Sequence, residues 1–156
     1  MFDHRTLEPF IKTKTCRKLT KTDKCIFFDL GVRRLAAKEG RTLPIEFMGH
    51  LFEQYIGLEL LRYARYHLLP VSIRFWRDPS GPEIDWVIQT TEKLIPIEVK
   101  WTTTPTLSDA KHLQIFMAEY EEAPKGYIVC RIPRKMKLSD TIYAIPWQDI
   151  YTLLEC

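Results

Sequence analysis

A mixed α/β sandwich with a central sheet flanked by helices is predicted by three observations. Hydrophobic periodicity runs in the order helix, three strands, helix, two strands; turn-rich punctuation separates the segments; and no internal repeat or low-complexity tract interrupts them. A chain of 156 residues, 46% hydrophobic and 28% charged, can bury one sizeable core without covalent help.

Residues 1–24 are polar and basic without sustained periodicity, and we expect a basic arm or residual linker there, with one domain over 25–156. Ile26, Phe27, Phe28 and Leu30 form a short apolar run ending at Gly31, followed by a short helix that Gly40 terminates. From Gly49 to His67, Leu51, Phe52, Tyr55, Ile56, Leu58, Leu60, Leu61 and Tyr63 recur at three- and four-residue intervals, which predicts the longest helix. Val71 to Arg77 alternates as a strand and stops at Asp78-Pro79-Ser80-Gly81-Pro82. Glu83 to Gln89 resumes a strand in a natural hairpin, and Leu94 to Trp101 is the third strand. Leu107 to Tyr120 reads as a second amphipathic helix with Ser108 and Asp109 as capping residues. Gly126 to Ile132 and Thr141 to Trp147 supply two more strands.

Composition excludes several functions. No apolar run reaches the ~18 residues of a membrane span, and Met1 to Lys14 is charged where a signal peptide is apolar. A cytoplasmic protein that does not enter the membrane is therefore expected. Cys16, Cys25, Cys130 and Cys156 form no C-x-x-C pair, which fits reduced thiols rather than a zinc ribbon or redox motif. No P-loop signature is present, so ATP hydrolysis through one is not expected. The formal charge of +3 is mild, but Lys12, Lys14, Arg17, Lys18, Lys21 and Lys24 crowd one segment and Arg131, Arg134, Lys135 and Lys137 another. Such clusters either neutralise phosphates or are simply solvated.

The chemistry sits on two neighbouring strands. Strand alternation puts Asp85 and Val87 on one face and Ile84, Trp86 and Ile88 on the other; in the next strand Glu98 and Lys100 share a face opposite Ile97, Val99 and Trp101. A carboxylate among apolar neighbours needs a partner, a hydrogen bond or a cation. A hard divalent cation such as Mg²⁺ is commonly held by one or two carboxylates plus phosphate oxygens, and Lys100 could then assist a water attacking a phosphodiester. An internal ion network of the same three residues, without metal or turnover, satisfies the spacing equally well.

The segments Glu83-Ile84-Asp85-Trp86-Val87 and Ile95-Pro96-Ile97-Glu98-Val99-Lys100 resemble motifs two and three of the PD-(D/E)XK nuclease superfamily, and Gly49-His50-Leu51-Phe52-Glu53 resembles its first. Ile84 stands where that superfamily often has proline. Together with Phe27-Phe28-Asp29-Leu30-Gly31, Glu59-Leu60, Phe75-Trp76-Arg77 and Ala144-Ile145-Pro146-Trp147, these motifs are similar to one family. It is the nuclease-like domain of unknown function found C-terminal to an AAA-type ATPase domain in many bacterial and archaeal proteins. The resemblance implies a restriction-endonuclease-like core and a nuclease that hydrolyses phosphodiester bonds of nucleic acid, with DNA as substrate. Asp85, Glu98 and Glu53 would be its metal residues for Mg²⁺ or Mn²⁺, and Lys100 its catalytic lysine. Glu59 would make a helix-to-loop hydrogen bond, and Gln114 would either approach the site or lie at the surface. The alternative is a catalytically inactive binding or regulatory module acting with a separate AAA-type ATPase or through self-association.

Overall fold

The computed structural model describes residues 4–7, 24–27, 29–36, 38, 42, 44–78 and 81–155. Strand β1 (His4–Leu7) pairs antiparallel with β2 (Lys24–Phe27), so part of the segment expected to be an arm is a strand. The basic cluster from Lys12 to Lys21 lies outside the described residues. Helix α1 (Leu30–Ala36) begins where Asp29 Oδ1 accepts the Gly31 and Val32 N–H groups at 2.7 and 3.0 Å, a local cap for an otherwise short helix. A 3₁₀ turn, Ile45–Phe47, leads into α2 (Met48–Tyr66), the long helix its periodicity predicts.

Six strands form the main sheet: β3 (Ser72–Arg77), β4 (Glu83–Gln89), β5 (Leu94–Val99), β6 (Gly126–Cys130), β7 (Met136–Lys137) and β8 (Ile142–Pro146), in spatial order β3-β4-β5-β6-β8-β7. The β3-β4-β5 meander is antiparallel, whereas β5, β6 and β8 run parallel. Between β5 and β6 the chain crosses one face as a 3₁₀ turn (Leu107–Ala110) continuing into α3 (Lys111–Glu119). A parallel pair requires such a crossover, because a tight hairpin can only reverse the chain. Strand β7 was not expected; at two residues it is too short to show a period. The cap of the second helix is also shifted. Thr106 is the N-cap, its hydroxyl and backbone N–H both bonded to Asp109 Oδ2 at 2.9 and 2.8 Å, so Asp109 completes a capping box and Ser108 lies inside the turn.

Helix α2 and a C-terminal 3₁₀ helix (Trp147–Leu153) cover one face of the sheet, and α3 the other. Ile56, Leu60, Trp86, Ile97, Val129 and Ile150 pack in the first layer; Ile84, Val87, Leu113, Phe116 and Ile128 pack in the second. Strict alternation would place Ile84 with Trp86, and the register shows why it fails: Arg74 lies opposite Val87 but Trp76 opposite Ile84, so three steps on β4 match two on β3. The extra residue is a β-bulge at Asp85-Trp86, which turns Ile84 toward α3 while Trp86 stays under α2. Glu59 bonds a 3₁₀ helix rather than a loop: Tyr151 donates its hydroxyl to Oε2 at 2.7 Å and Arg62 its guanidinium to Oε1 at 3.0 Å. That carboxylate and burial push the Tyr151 phenol up to about 12. Among the described residues, no helix is long and apolar enough to cross a membrane.

The tightest joint is between α2 and β4. Trp86 is fully buried, donates its indole N–H to the Glu53 carbonyl at 3.2 Å, and leaves no room for a side chain at Gly57. A Cβ there would sit 2.2 Å from the ring. We therefore expect Gly57→Ala to destabilise the fold by about 3 kcal/mol, the upper end for overpacking, because the ring is walled in and cannot give. Urea unfolding of the two proteins measures it, and a loss under about 0.5 kcal/mol would show that α2 can slide off the indole.

Candidate functional site

The polar site forms where the amino end of β4 lies beside the carboxyl end of β5. The β4–β5 ladder stops at Trp86 opposite Ile97, although Asp85 and Glu98 are next in line on each strand. Beyond that pair, the Asp85 side chain replaces the ladder: its Oδ2 accepts the Val99 N–H at 2.8 Å. A bulge followed by a side-chain substitute for backbone pairing is how a sheet re-aims a polar group without leaving an N–H unmet. On the other side, β5 stays tied to β6, with the Lys100 N–H bonded to the Val129 carbonyl at 3.0 Å.

Glu98 and Lys100 share the α3 face, as alternation predicts, and their charges meet: Nζ lies 2.7 Å from Oε1. The Glu98 side chain is only 6% exposed, while Lys100 is 38% exposed. The second carboxylate oxygen of Glu98, Oε2, is buried and has no hydrogen-bond partner among the described residues. Glu53, half-buried on α2, is near enough to add repulsion to Glu98, and its own Oε2 lies 3.8 Å from the exposed His50 Nδ1. So the structure brings Asp85, Glu98 and Lys100 together at the end of two adjacent strands, with Glu53 at the margin. Among the described residues, however, no group of three His, Cys, Asp or Glu side chains is placed to hold a metal ion.

The titration of the pair reflects its surroundings. Burial pushes the Glu98 carboxyl above its ordinary value, and the hydrogen bond and charge of Lys100, with a smaller contribution from His112, only partly counter it. Burial alone would lower the Lys100 ammonium; the hydrogen bond and charge of Glu98, helped by Asp85 and Asp109, outweigh it and raise the pKa. Both groups therefore hold their protons more tightly than in water, Glu98 because it is buried and Lys100 because carboxylates face it.

Helix α3 contributes residues that the spacing did not single out. His112 Nδ1 donates to the Glu83 carbonyl at 3.1 Å, which orients the ring beside the acidic strands, while Gln114 lies at the surface. Asp109, one helical turn before His112, acts on Lys100 and also completes the cap. Their i, i+3 spacing was the available signal. Trp86 is core, and Trp76 is too, donating to the Tyr120 hydroxyl at 3.2 Å. Cys130 is a free, buried thiol that burial pushes up to about 11, too weakly acidic to be a nucleophile.

Comparison with known families decides the relationship. Residues 48–150, about two thirds of the chain, match the family described as "Domain of unknown function (DUF4143)". The chain belongs to the DUF4143 family. Two relatives described as uncharacterized proteins, one from Mycobacterium tuberculosis and one from Mycobacterium bovis, are each 26% identical to it over 119 residues, covering 76% of this chain and 24% of the relative. The chain thus spans about a quarter of the length of these relatives. Among solved structures, a chain in the assembly of Thermococcus gammatolerans McrB AAA+ hexamers with bound McrC aligns over 64% of this chain and 27% of its own, at 15% identity and a TM-score of 0.43.

The raised Glu98 carboxyl has a measurable consequence. A carboxyl that is harder to ionise when folded binds more protons in the folded state, so stability falls as pH rises from the ordinary value of 4.5 through the folded one. Glu98→Gln lacks that slope. Urea midpoints taken in steps from pH 4.5 upward should show the wild type losing stability relative to Glu98→Gln across this window; parallel curves would mean that Glu98 ionises as freely as in the unfolded chain.

Proposed function

We propose that this domain is a binding or regulatory module on a nuclease-like fold that acts with a separate AAA-type ATPase and does not itself turn over a phosphodiester. The observation that carries this reading is how the acidic strand pair is closed from within. Lys100 neutralises Glu98 at 2.7 Å, and Asp85 commits an oxygen to the Val99 N–H. With no third donor assembled among the described residues, the pairing of Lys100 with Glu98 and of Asp85 with the Val99 N–H resembles an internal ion network more than an open metal site. The ATPase partner rests on the sequence resemblance to domains that follow an AAA-type ATPase, and the greater length of the relatives leaves room for such a half.

A second reading is favoured by one specific observation, the buried and unpartnered Oε2 of Glu98 beside groups that hold their protons tightly. That is a place where a cation would lower the energy. In a PD-(D/E)XK-type nuclease, Asp85 and Glu98, with Glu53 assisting, would hold Mg²⁺ or Mn²⁺, which when bound supplies charge to polarise the phosphate of a nucleic acid, DNA on the sequence resemblance. Lys100, the more exposed member of the pair, would release Glu98, hold the attacking water and stabilise charge gathering on the phosphate oxygens. His112 would lend a second positive charge when protonated.

Calorimetric titration of Mn²⁺ into the full chain and into Asp85→Asn, with and without a DNA duplex, separates the readings. The asparagine keeps an oxygen for the Val99 N–H, so the variant tests charge rather than folding. The module reading expects no heat that depends on Asp85 and equal plasmid nicking by wild type and Lys100→Ala. Metal binding that vanishes in Asp85→Asn, with nicking lost in Lys100→Ala, overturns it in favour of hydrolysis.

A further inference from the structure

A groove of about 290 Å³ opens on the α2 side of the sheet, away from the acidic pair. Leu30, Leu51, Phe52, Tyr55, Trp101 and Trp147 form its walls, and Arg131 closes its mouth. The rings brace one another: Phe52 meets Trp101 edge-on at 5.1 Å between centroids, and Tyr55 meets Trp147 at 5.7 Å. Its open lining is carbon. The apolar surface continues along the chain from Met48 into Phe47 and Ile45, which are 47% and 79% exposed.

Arg131 sits over Trp101, its guanidinium carbon 3.8 Å from the ring centroid, close enough for the planar group to stack. Stacking occupies the face of the guanidinium and leaves its N–H edge to donate, the geometry that accepts a carboxylate in two parallel hydrogen bonds. Among the described residues Arg131 has no acidic partner, and neither have Arg134 and Lys135, which follow it on the connection from β6 to β7. Tyrosine, tryptophan and arginine around one apolar pocket are the residues that dominate binding energy at protein interfaces.

We infer that this groove docks a partner protein through an apolar anchor side chain flanked by carboxylates, on an acidic amphipathic segment. Charge complementarity selects that occupant. Residues 12–24 of this chain are rich in lysine and arginine and would be repelled by Arg131. A nucleobase would find side-chain donors in the groove only at Arg131 and would lose water from its remaining polar edges against carbon walls. An acidic helix with anchors at i, i+4 and i+7 meets both demands, the apolar groove and the unpaired cations. The inference deepens the binding-module reading, yet it rests on a different face, so metal titration at Asp85 and peptide binding at Arg131 can fail separately.

The test uses the full chain and two synthetic amphipathic peptides of about four helical turns, each with leucine or phenylalanine anchors, one carrying glutamates and the other lysines on the remaining positions. Quenching or shift of tryptophan emission reports occupancy beside Trp101 and Trp147. The glutamate peptide should bind about tenfold more tightly than the lysine peptide, and Arg131→Glu should reverse that preference. Because Arg131 is exposed, the variant should fold, and the uncharged Met48→Gln should weaken both peptides without changing the charge preference. Equal affinity for the two peptides, or no binding, overturns the proposal. So does displacement of the glutamate peptide by a single-stranded oligonucleotide, or a dimer by light scattering that Arg131→Glu dissociates; these would assign the groove to nucleic acid or to a second copy.

Discussion

One buried indole sets the relation between the sheet and its longest helix. Trp86 fills the space that a side chain at position 57 would take and bonds the Glu53 carbonyl, so a single residue of β4 fixes both the height and the rotation of α2. Everything on that helix inherits this placement. Phe52 reaches Trp101, Tyr55 reaches Trp147 and Glu59 reaches Tyr151, while Glu53 is left at the margin of the acidic strands. Burying a full tryptophan is among the larger single contributions a small core can make, and the cost of its polar N–H is met by the carbonyl it bonds.

The bulge that holds Trp86 under α2 also produces the polar site. Without the extra residue, Ile84, Trp86 and Ile88 would share one face and β4 would pair with β5 to its end. With it, Ile84 crosses to the α3 layer, the ladder ends at Ile97, and Asp85 must satisfy the Val99 N–H by side chain. The acidic residue is therefore part of the sheet's own hydrogen bonding. This dual role explains why Asp85 would be retained whether or not the domain is catalytic, since its removal leaves a strand-end N–H unmet.

Most of the architecture was legible because it rests on local periods. The three- and four-residue recurrence from Leu51 to Tyr63, and the alternation of Ile95, Ile97 and Val99, each survive in the folded chain. What could not be read depends on relations between segments. The bulge at Asp85-Trp86 exists only in the register with β3, so the face of Ile84 was misassigned. The start of α3 is a 3₁₀ turn capped by Thr106, and a residue in such a turn advances about 120° rather than about 100°, which changes the phase of the helix that follows. On α3 it is His112 that bonds the Glu83 carbonyl, while Gln114, two residues on, lies at the surface. The convergence of Asp85, Glu98 and Lys100 was legible because it needs only alternation and strand adjacency.

The end of β5 joins the two surfaces. Lys100 and Trp101 are consecutive, so the extended chain sends one to the α3 face and the acidic pair, the other to the α2 face and the groove. Hydrogen bonds hold this short stretch on both sides: Lys100 N–H to Val129, Thr102 N–H to the Lys100 carbonyl at 2.8 Å, and Arg131 N–H to the Thr102 carbonyl at 2.9 Å. The Arg131 side chain then returns to stack on Trp101. An occupant that engaged Arg131 would therefore load the same backbone that positions Lys100 against Glu98. Any coupling between the surfaces would have only these few residues to cross, through the backbone hydrogen bonds and the one stacked pair.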